Sequence, residues 1–367
     1  MQKESHYTIH YFQKDIKTDD FTDFVLGADV GGTTTNIAIA GINEGKPELL
    51  FTLDFQTKHI SGFFPALKKT LTFAQKNHDI TISDGCIGAA GVVSPDHTFV
   101  DLTNIAWNID TGLLLKETAM RSLFILNDFQ TLGYSLNTID MANKKQVICI
   151  RNVDKENQAK TRVVLGAGTG MGKTVLHFDE NDGFFHAYES EGGHTDLPIY
   201  TKDELELASW LKKQKHPEFP VYYEDFLSGS GLVNMFNFFC NGNQFPETVY
   251  TKEINETDQK AELISKYRRK DPCCKKTFQI FQRFFARCAK NLALDNLAGG
   301  GVFIAGGIAQ KNSDIINSID FINEFNQNHM RSDFLKEIPL YLLPEYYLSL
   351  SGACFVAANI EKIRKKQ

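Results

Sequence analysis

The feature that most constrains the fold is a pattern that occurs twice, in which two apolar β-type segments are joined by a glycine-rich turn. In the first copy, FVLGADV and NIAIAGI flank Gly31-Gly32-Thr33-Thr34-Thr35. In the second copy, RVVLGAG leads into Gly168-Thr169-Gly170, and TVLHF follows. Each copy predicts a β-hairpin, and helical and strand segments accompany both. We therefore expect two similar α/β halves, each built around a hairpin.

Length and charge restrict the classes of protein that fit this pattern. A chain of 367 residues is long enough for two domains or one large bilobed body. The net charge of −6 and the pI near 6.0 argue against a broad basic surface for nucleic acid. A polyanionic ligand would therefore be held by backbone N–H groups, a metal ion or a few placed cations.

The cysteines and the N-terminus indicate a reducing compartment. The seven cysteines include no C-x-x-C pair and no cluster with histidine at zinc spacing, so we interpret them as reduced thiols. The segment from Met1 to Asp23 has no apolar core of a secretory signal. No run approaches the ~20 apolar residues that span a bilayer. These features predict a cytoplasmic protein without a membrane or nucleic-acid partner.

The chain is expected to divide into three parts. Residues 1–22 are polar and aperiodic, and we interpret them as an N-terminal extension outside the core. Residues 23–138 together with 344–367 are expected to form a small α/β lobe. Residues 139–343 are expected to form a large α/β lobe.

The first glycine turn, within Ala28-Asp29-Val30-Gly31-Gly32-Thr33, has the composition of a phosphate site. Glycines at a hairpin tip let the backbone approach a ligand, and successive N–H groups form an anion cradle. An acid just before the glycines, here Asp29, can hold Mg²⁺ through its waters beside the phosphates. A tight turn with a solvated Asp29 explains the same residues equally well.

The second glycine turn resembles a P-loop. Apart from Ala167 at the first glycine position, the segment from Ala167 to Thr174 matches G-x-x-x-x-G-K-[ST]. In a P-loop, a helix follows the glycines and receives the phosphates at its N-terminus. Residues 174–178 are instead β-branched or apolar and end in a polar turn at 179–183. We therefore predict a strand after Lys173 and a second phosphate-contacting hairpin, and not a Walker-type NTPase.

Four further segments place polar groups or glycines at turns. Asn127-Asp128 ends the strand SLFIL and opens a helix, where Asp128 is either a helix cap or a catalytic base at the sheet edge. Glu191-Gly192-Gly193-His194 brings an acid and an imidazole to one turn, although a histidine alone is typical of a surface. Glu224 has the position of a first-turn helix acid. Gly306-Gly307 either ends a strand or lets a nucleobase lie against the backbone.

Taken in order, these segments resemble bacterial-type glucokinase. The blocks that carry the resemblance are ADVGGT, LTN, LNDF, GAGTGMG, EGGH, EDFLSGSGLVN and GGVFIAGGI, from about residue 24 to 360. GGVFIAGGI and LSGSGLVN are the most specific to that family, whereas DVGGT is shared with many sugar kinases and regulators. The resemblance implies an α/β fold of two ribonuclease-H-like (actin-like ATPase) lobes that close over a sugar in a central cleft.

The resemblance also implies roles for individual residues. The phosphates and adenosine of ATP would be bound by Ala28, Asp29, Val30, Gly31, Gly32, Thr33, Gly168, Thr169, Gly170, Gly306 and Gly307. Mg²⁺ would lie beside Asp29 and contact it through water. Sugar hydroxyls would be bound by Asn104, Asn127, Asp128, Glu191, His194 and Glu224. Asp128 would be the catalytic base that activates the 6-hydroxyl of D-glucose, in a cytoplasmic homodimer.

Two departures from the family pattern concern the ligand contacts. Thr34 and Thr35 follow the first glycines where many relatives carry Asn and a small residue. Gly91-Val92 stands where relatives often place a Cys-Pro pair near the sugar. Three alternatives remain: a kinase for another hexose or an N-acetylhexosamine, a non-catalytic sugar sensor of the same fold, and a Walker-type NTPase. The retained Asp128 and both hairpins argue against the sensor.

Overall fold

The computed structural model describes residues 7–103, 105–153, 160–242 and 245–366. The chain forms two compact units. The first unit comprises Met1–Asn143, Leu176–Glu189 and Glu345–Gln367, and the second comprises Lys144–Val175 and Ser190–Pro344. Each unit has its own apolar core.

Strands and helices alternate along the described residues. The strands are β1 (Tyr7–Tyr11), β2 (Asp23–Val30), β3 (Thr34–Asn43), β4 (Lys46–Gln56), β5 (Asp84–Ala89), β6 (Gly91–Val93), β7 (Phe99–Leu102), β8 (Ile109–Asp110), β9 (Ser122–Asn127), β10 (Ile148–Arg151), β11 (Thr161–Ala167), β12 (Met171–Asp179), β13 (Phe184–Tyr188), β14 (Val302–Ala305) and β15 (Leu340–Leu342). The helices are α1 (Phe63–His78), α2 (Thr111–Glu117), α3 (Asp128–Tyr134), α4 (Lys202–Lys215), α5 (Gly229–Asn241), α6 (Val249–Asn255), α7 (Lys260–Tyr267), α8 (Pro272–Asp295), α9 (Gly307–Lys311), α10 (Ser313–Ile316), α11 (Ile319–Asn326), α12 (Ser332–Lys336), α13 (Leu348–Ala358) and α14 (Ile360–Ile363).

The first unit is built on a six-stranded sheet with the strand order β1-β4-β3-β2-β5-β9. The strands β1 to β4 pair antiparallel, whereas β2, β5 and β9 run parallel. Ala89 is the register partner of both Val30 and Asn127. The carboxyl ends of the three parallel strands therefore meet at one edge of the sheet, where such sheets commonly bind ligands.

Helices α3 and α13 pack closely on one face of this sheet because glycines leave room for them. A Cβ atom on Gly88 of β5 would lie 2.5 Å from Thr131 Oγ1 in α3, and one on Gly27 of β2 would lie 2.6 Å from Cys354 Sγ in α13. A Cβ on Gly352 would collide with the backbone carbonyl oxygen of Thr131. Helix α13 is accordingly buried on nearly every side.

The second unit contains β10, β15, β14, β11 and the first part of β12, in the strand order β10-β15-β14-β11-β12. Its central strands β11, β14 and β15 are parallel, and Gly166 pairs with Ala305 in the register. The chain passes from the second unit to the first within β12, between Val175 and Leu176. Because β11 and β14 pair parallel, their carboxyl ends lie side by side. Gly168 and Gly170 follow β11, and Gly306 and Gly307 follow β14.

Helix α8 fills the core of the second unit. It begins with Pro272 after Asp271, whose side chain accepts a hydrogen bond from Cys274 N, a typical helix start. Its phenylalanines are buried with those of α5 and α11. Arg287 crosses this core and is satisfied by hydrogen bonds to the carboxylates of Glu204 and Glu324. A buried cation is tolerated here because it is paired with two carboxylates and hydrogen-bonded to both.

The expected division of the chain differs from the observed one mainly in two segments; the boundaries also move, to Asn143 from 138 and to Glu345 from 344. Residues 7–11, within the expected extension, form the edge strand β1, in which Ile9 pairs with Leu53 of β4. Residues 176–189, expected in the large lobe, belong to the first unit. Asn137 holds this hairpin by donating to the Phe185 carbonyl and accepting from the Phe185 N–H.

The segment after the second glycine turn decides between a hairpin and a P-loop. The strand β12 follows the second glycine turn, as expected, and residues 171–188 contain no helix. The P-loop alternative is wrong, because a P-loop needs a helix directly after its glycines. All seven cysteines lie in the described part of the chain and are free thiols. Among the described residues, every helix is too short or too polar to cross a membrane.

The contact between α13 and α3 predicts the effect of one methyl group. Gly352→Ala should lower the free energy of unfolding by about 1–3 kcal/mol, because the new Cβ must push α13 away from Thr131. Urea denaturation measures the change. Gly62→Ala is the control, since nothing lies within 4 Å of its Cβ position and its φ of 164° is open to alanine. Equal stability of the two variants would contradict the close contact.

Candidate active site

The first glycine turn connects β2 to β3 and is fixed from one side. Gly31 N donates to the Thr34 carbonyl at 2.9 Å, and Thr57 Oγ1 donates to the Gly31 carbonyl at 2.8 Å. Nothing lies within 4 Å of the Cβ position of Gly32. The turn therefore presents open backbone at Gly32, as a phosphate cradle requires.

The two threonines that depart from the family pattern make contacts within the first unit. Thr34 Oγ1 lies 3.1 Å from the hydroxyl oxygen of Tyr346, and Thr35 Oγ1 lies 3.0 Å from Thr57 Oγ1. Both hydroxyls brace the hairpin. Gly91, the other departure, opens β6, and a Cβ there would collide with the Asp101 carbonyl of β7.

Asp29 lies two residues before the turn, in the last part of β2. Its Oδ2 accepts a hydrogen bond of 2.8 Å from Ser349 Oγ of α13. Burial raises the pKa of this carboxyl, and the hydrogen bond from Ser349 opposes the rise. Carboxylate oxygen is the ligand that Mg²⁺ prefers, and Mg²⁺ is commonly held by one or two carboxylates together with phosphates. Asp29 beside an open phosphate turn fits that requirement.

Asn127 and Asp128 begin α3 at the carboxyl end of β9. Phe129 N donates to Asn127 Oδ1 and to Asp128 Oδ1, both at 2.9 Å. Asn127 is the N-cap, so Asp128 stands in the first turn, where a carboxylate interacts favourably with the helix dipole. One oxygen of Asp128 thus has a structural role at the start of α3.

The strand register brings these two segments to one edge of the first sheet. Val30 and Asn127 share the register partner Ala89 and are therefore about 10 Å apart, two strand spacings. The first glycine turn follows one and Asp128 follows the other. Asn104, predicted to bind sugar, lies outside the described residues.

In the second unit, Glu224 is bonded to the second glycine turn. Its Oε2 accepts a hydrogen bond of 2.8 Å from Met171 N, and a Cβ on Gly170 would lie 2.6 Å from the same oxygen. Gly229 N donates to the Gly168 carbonyl at 2.8 Å. The segment from Glu224 to Gly229 therefore supports the turn directly. Glu224 lies in a 3-10 turn, Tyr223–Asp225, and not in the first turn of an α-helix.

The turn that contains Glu191 and His194 packs against the start of β12. A Cβ on Gly193 would collide with the Met171 carbonyl oxygen, so only glycine allows this approach. Glu191 Oε2 and His194 Nδ1 are 3.3 Å apart, with side chains 82% and 54% exposed. Met171 thus contacts this turn through its carbonyl, and it donates its own N–H to the carboxylate of Glu224. The second unit thereby brings Glu191, His194 and Glu224 to the same turn.

Gly306 and Gly307 follow β14 beside the same turn. Gly306 has a φ of +88°, and a Cβ there would lie 2.5 Å from the Ala167 carbonyl oxygen. Both its backbone conformation and its surroundings therefore require glycine. Nothing lies within 4 Å of the Cβ position of Gly307, so its backbone is open.

Lys173 is buried beneath these turns. Its side chain is 6% exposed, and its Nζ lies 4.4 Å from the ring centroid of Tyr223 and 3.5 Å from Thr195 Oγ1. Burial raises the pKa of the nearby Cys288 thiol to about 11, although Lys173 opposes the rise. A Cβ on Gly192 would lie 3.2 Å from this Nζ. The ammonium therefore faces the protein interior.

Sequence patterns do not identify three of the residues that shape these turns. Ser349, Thr57 and Tyr346 each contact the first hairpin from positions distant in the chain. Serine, threonine and tyrosine are common throughout the sequence, so no local signal distinguishes them. Conversely, the sequence-predicted residues Ala28–Thr33, Asn127 and Asp128 lie in the first unit, and the remaining described ones lie in the second.

The arrangement within each unit agrees with comparisons to known proteins. The glucokinase family model matches residues 26–360 of this chain. The chain belongs to the glucokinase family. Its likeness extends to the glucokinase of Nostoc punctiforme, at 28% identity over 92% of this chain and 99% of the relative. The glucokinase of Shigella flexneri serotype 5b is 29% identical over 90% of this chain and 96% of the relative.

Solved structures confirm the fold class predicted from the sequence. A glucokinase from an Antarctic psychrotroph superposes with a TM-score of 0.76 and 24% identity, covering 92% of this chain and 99% of the other. Balamuthia mandrillaris glucokinase in complex with glucose gives a TM-score of 0.75 and 22% identity, covering 91% and 93%. The α/β, actin-like ATPase fold of glucokinase-family sugar kinases is therefore that of this chain, a hexose kinase by family.

The inward position of Lys173 predicts a limited effect on catalysis. Lys173→Ala should change kcat/KM by less than about tenfold, because the ammonium packs on Tyr223 and has no P-loop role. Steady-state kinetics and thermal melting measure activity and stability separately. Lys213→Ala, on the exposed side of α4, is the matched control. A loss of about a thousandfold would restore a direct role in phosphoryl transfer.

Proposed function

We propose that this chain is an ATP-dependent glucokinase that transfers the γ-phosphoryl group of ATP to the 6-hydroxyl of D-glucose. The observation that carries the proposal is the position of Asp128. It lies at the edge of the first sheet, and the glycine turn that follows Asp29 lies at the same edge. A carboxylate and an anion cradle at one edge are the two parts that phosphoryl transfer to an alcohol needs.

Asp128 acts as the general base in this proposal. A primary sugar hydroxyl is a weak nucleophile, and a carboxylate within hydrogen-bond reach can accept its proton as the phosphoryl group transfers. The hydrogen bond from Phe129 N to Asp128 Oδ1 fixes the orientation of the carboxylate. Its place in the first turn of α3 puts this carboxylate at the carboxyl end of β9, at the edge of the first sheet.

The open glycine turns bind the phosphates in this proposal. In the turns Gly31–Thr33 and Gly168–Gly170, the N–H groups of Gly31 and Gly168 are bonded within the turns, so the remaining backbone N–H groups supply the donors. They do so without adding net charge, in keeping with a chain of net charge −6. Gly306 and Gly307 flank the adenosine. Asp29 would hold Mg²⁺ through a bridging water, and the ion would supply positive charge beside the phosphate oxygens.

Sugar hydroxyls are bound in this proposal by Asn104, Asn127, Asp128, Glu191, His194 and Glu224. Carboxylates, amides and imidazole read the orientation of hydroxyl groups by donating and accepting hydrogen bonds. A site built this way rejects a sugar that leaves a group unpaired. Glu224 has one oxygen bonded to Met171 N, so it also couples the sugar to the second glycine turn.

Glucose is the proposed substrate because the curated relatives named above are glucokinases. A ROK family glucokinase from Streptomyces griseus was solved with glucose and AMPPNP, and it gives a TM-score of 0.61 and 18% identity, covering 92% of this chain and 99% of the other. This supports a sugar and an ATP-type nucleotide as ligands. The family resemblance also leads us to infer a cytoplasmic homodimer.

Replacement of Asp128 by asparagine distinguishes its proposed role as general base from its structural role in the first turn of α3. Asp128→Asn should lower kcat by about 10²–10⁴-fold and leave sugar affinity within a few fold, because asparagine keeps a cap-competent oxygen but cannot accept the proton. Coupled ADP-release kinetics and direct sugar binding provide the two readouts. Asp203→Asn, also in the first turn of a helix but exposed, is the matched control. Near wild-type turnover would show that Asp128 is not the base.

A sugar panel tests the substrate. ADP release with ATP and Mg²⁺ should be strongest with glucose among glucose, mannose, fructose, galactose, glucosamine and N-acetylglucosamine. The expected margin over the next sugar is about tenfold or more in kcat/KM, because unpaired buried polar groups penalise the wrong hydroxyl pattern. Preferred turnover of another sugar would replace glucose but retain the kinase. Sugar binding without turnover would identify a sensor.

A further inference from the structure

The strongest local concentration of positive charge lies at the corner between α7 and α8. Residues 266–276 contain six Lys or Arg residues and one acid, Asp271, in a chain of net charge −6. Asp271 is buried and accepts hydrogen bonds from Thr248, Thr251 and the Cys274 amide. The carboxylate of Asp271 is therefore occupied by hydrogen bonds in the interior and, in the described part of the chain, makes no ion pair with the surface cations.

Three of these cations line a cavity of about 270 Å³ in the second unit. The lining that matters for a ligand consists of Arg268, Arg269, Lys275, Phe278, Gln279 and Asp314. None of the residues predicted to bind ATP or sugar lines it. The cavity is smaller than the ~300–1,000 Å³ that drug-sized ligands occupy, so it suits a small ion or a compact metabolite.

The guanidinium groups in this cavity retain donor capacity. Arg268 donates from Nη1 to the Ser265 carbonyl and from Nη2 to Asp314 Oδ1, at 3.1 and 2.7 Å, but its Nε is buried without a hydrogen-bond partner. Arg269 donates from Nη2 to Asp314 Oδ2 at 2.6 Å, and its side chain is 72% exposed. Each arginine therefore has N–H groups beyond those that Asp314 uses.

Asp314 is the one acid in the lining, and it does not cancel the cations. Burial raises the pKa of Asp314, but hydrogen bonds from Arg269 and Arg268 outweigh it and hold the pKa below its usual value. Asp314 is thus ionised at neutral pH, and one negative charge faces three positive ones. The remaining lining charge of +2 is concentrated in a volume of about 270 Å³.

Lys275 is the most available of the four lysines in residues 266–276. The ammonium groups of Lys266 and Lys270 lie over the rings of Tyr267 and Tyr250, and Lys276 Nζ is 3.5 Å from Asp203 Oδ2. Within the described residues, the side chain of Lys275 makes neither a hydrogen bond nor an ion pair, and only its backbone N–H donates, to the Asp271 carbonyl. Its ammonium therefore complements the planar donor forks of the two arginines as a mobile point charge.

We propose that this cavity is a binding site for a phosphate-type dianion, either inorganic phosphate or the phosphate group of a small monoester. Arginine forks and a lysine are the groups that recognise phosphate oxygens in proteins. Gln279 adds a neutral donor, and Phe278 forms an apolar wall against which a monoester's carbon chain can pack. The site is separate from the proposed kinase site, so it stands or falls independently of the proposed function.

Isothermal titration calorimetry with inorganic phosphate, at low ionic strength and in a buffer without other polyvalent anions, tests the proposal. Wild type is compared with the double variant Arg269→Gln/Lys275→Gln, which removes two exposed cations and leaves Arg268 in place. Loss of two charge-assisted contacts should weaken phosphate binding by about tenfold or more. The control, Lys213→Gln/Arg331→Gln, makes the same change of charge elsewhere in the second unit and should stay within about twofold.

A phosphate affinity that the double variant leaves unchanged, or that the control weakens equally, would overturn the proposal. The variant Asp314→Asn provides a test of opposite sign. It releases the two guanidiniums from their carboxylate and should tighten phosphate binding by about threefold or more. Absence of any gain would contradict the arginines as ligands of the anion.

Glycerol 3-phosphate distinguishes the two sources of the phosphate group. A monoester that binds as tightly as inorganic phosphate, or more tightly, identifies a phosphorylated metabolite as the ligand, because Phe278 then contacts the carbon chain. A weaker monoester identifies the inorganic ion. In both cases the double variant must remove the binding.

Discussion

The first unit depends on how closely two helices can approach one sheet. Helix α13 meets α3 at Gly352, where the carbonyl of Thr131 occupies the space of a side chain, and α3 meets β5 at Gly88. These contacts fix the start of α3, and therefore Asp128, relative to the sheet edge. They also place Ser349 of α13 on the carboxylate of Asp29. One packing layer thus positions both acids on which the proposed chemistry relies.

The second unit achieves the same result through a single backbone residue. Met171 donates its N–H to Glu224 and turns its carbonyl toward Gly193. The proposed phosphate turn and the proposed sugar-binding groups therefore share one peptide segment. A shift in either is transmitted to the other over one residue, with no need for a longer chain of contacts. This gives the second unit a direct physical link between its two proposed ligands.

Local patterns predict a large part of this structure. The two hairpins, the strand after Lys173 and the helix that opens at Asp128 follow from residue periodicity, turn glycines and capping. The confirmed fold class follows from the order of the family blocks. Long-range contacts do not follow: Ser349 and Asp29 are 320 residues apart, and Glu224 and Met171 are 53 apart. Such pairs depend on how helices pack on sheets, which no local spacing encodes. The sequence also does not predict the strand β1. An exposed edge strand forms through backbone hydrogen bonds to its neighbour and shows no apolar pattern of its own.

The chain order of the first unit has a consequence for biosynthesis. Its sheet is encoded before residue 143, but α13, with Gly352 and Ser349, comes from residues 345–367. The whole of Ser190–Pro344 is synthesised in between. Domains generally fold as they leave the ribosome, N-terminal first, yet this sheet emerges with the face that α13 covers still bare. On the ribosome, the second unit can therefore complete its core while the first waits for its last helix. The nascent sheet therefore keeps apolar surface exposed to solvent until residues 345–367 have been synthesised.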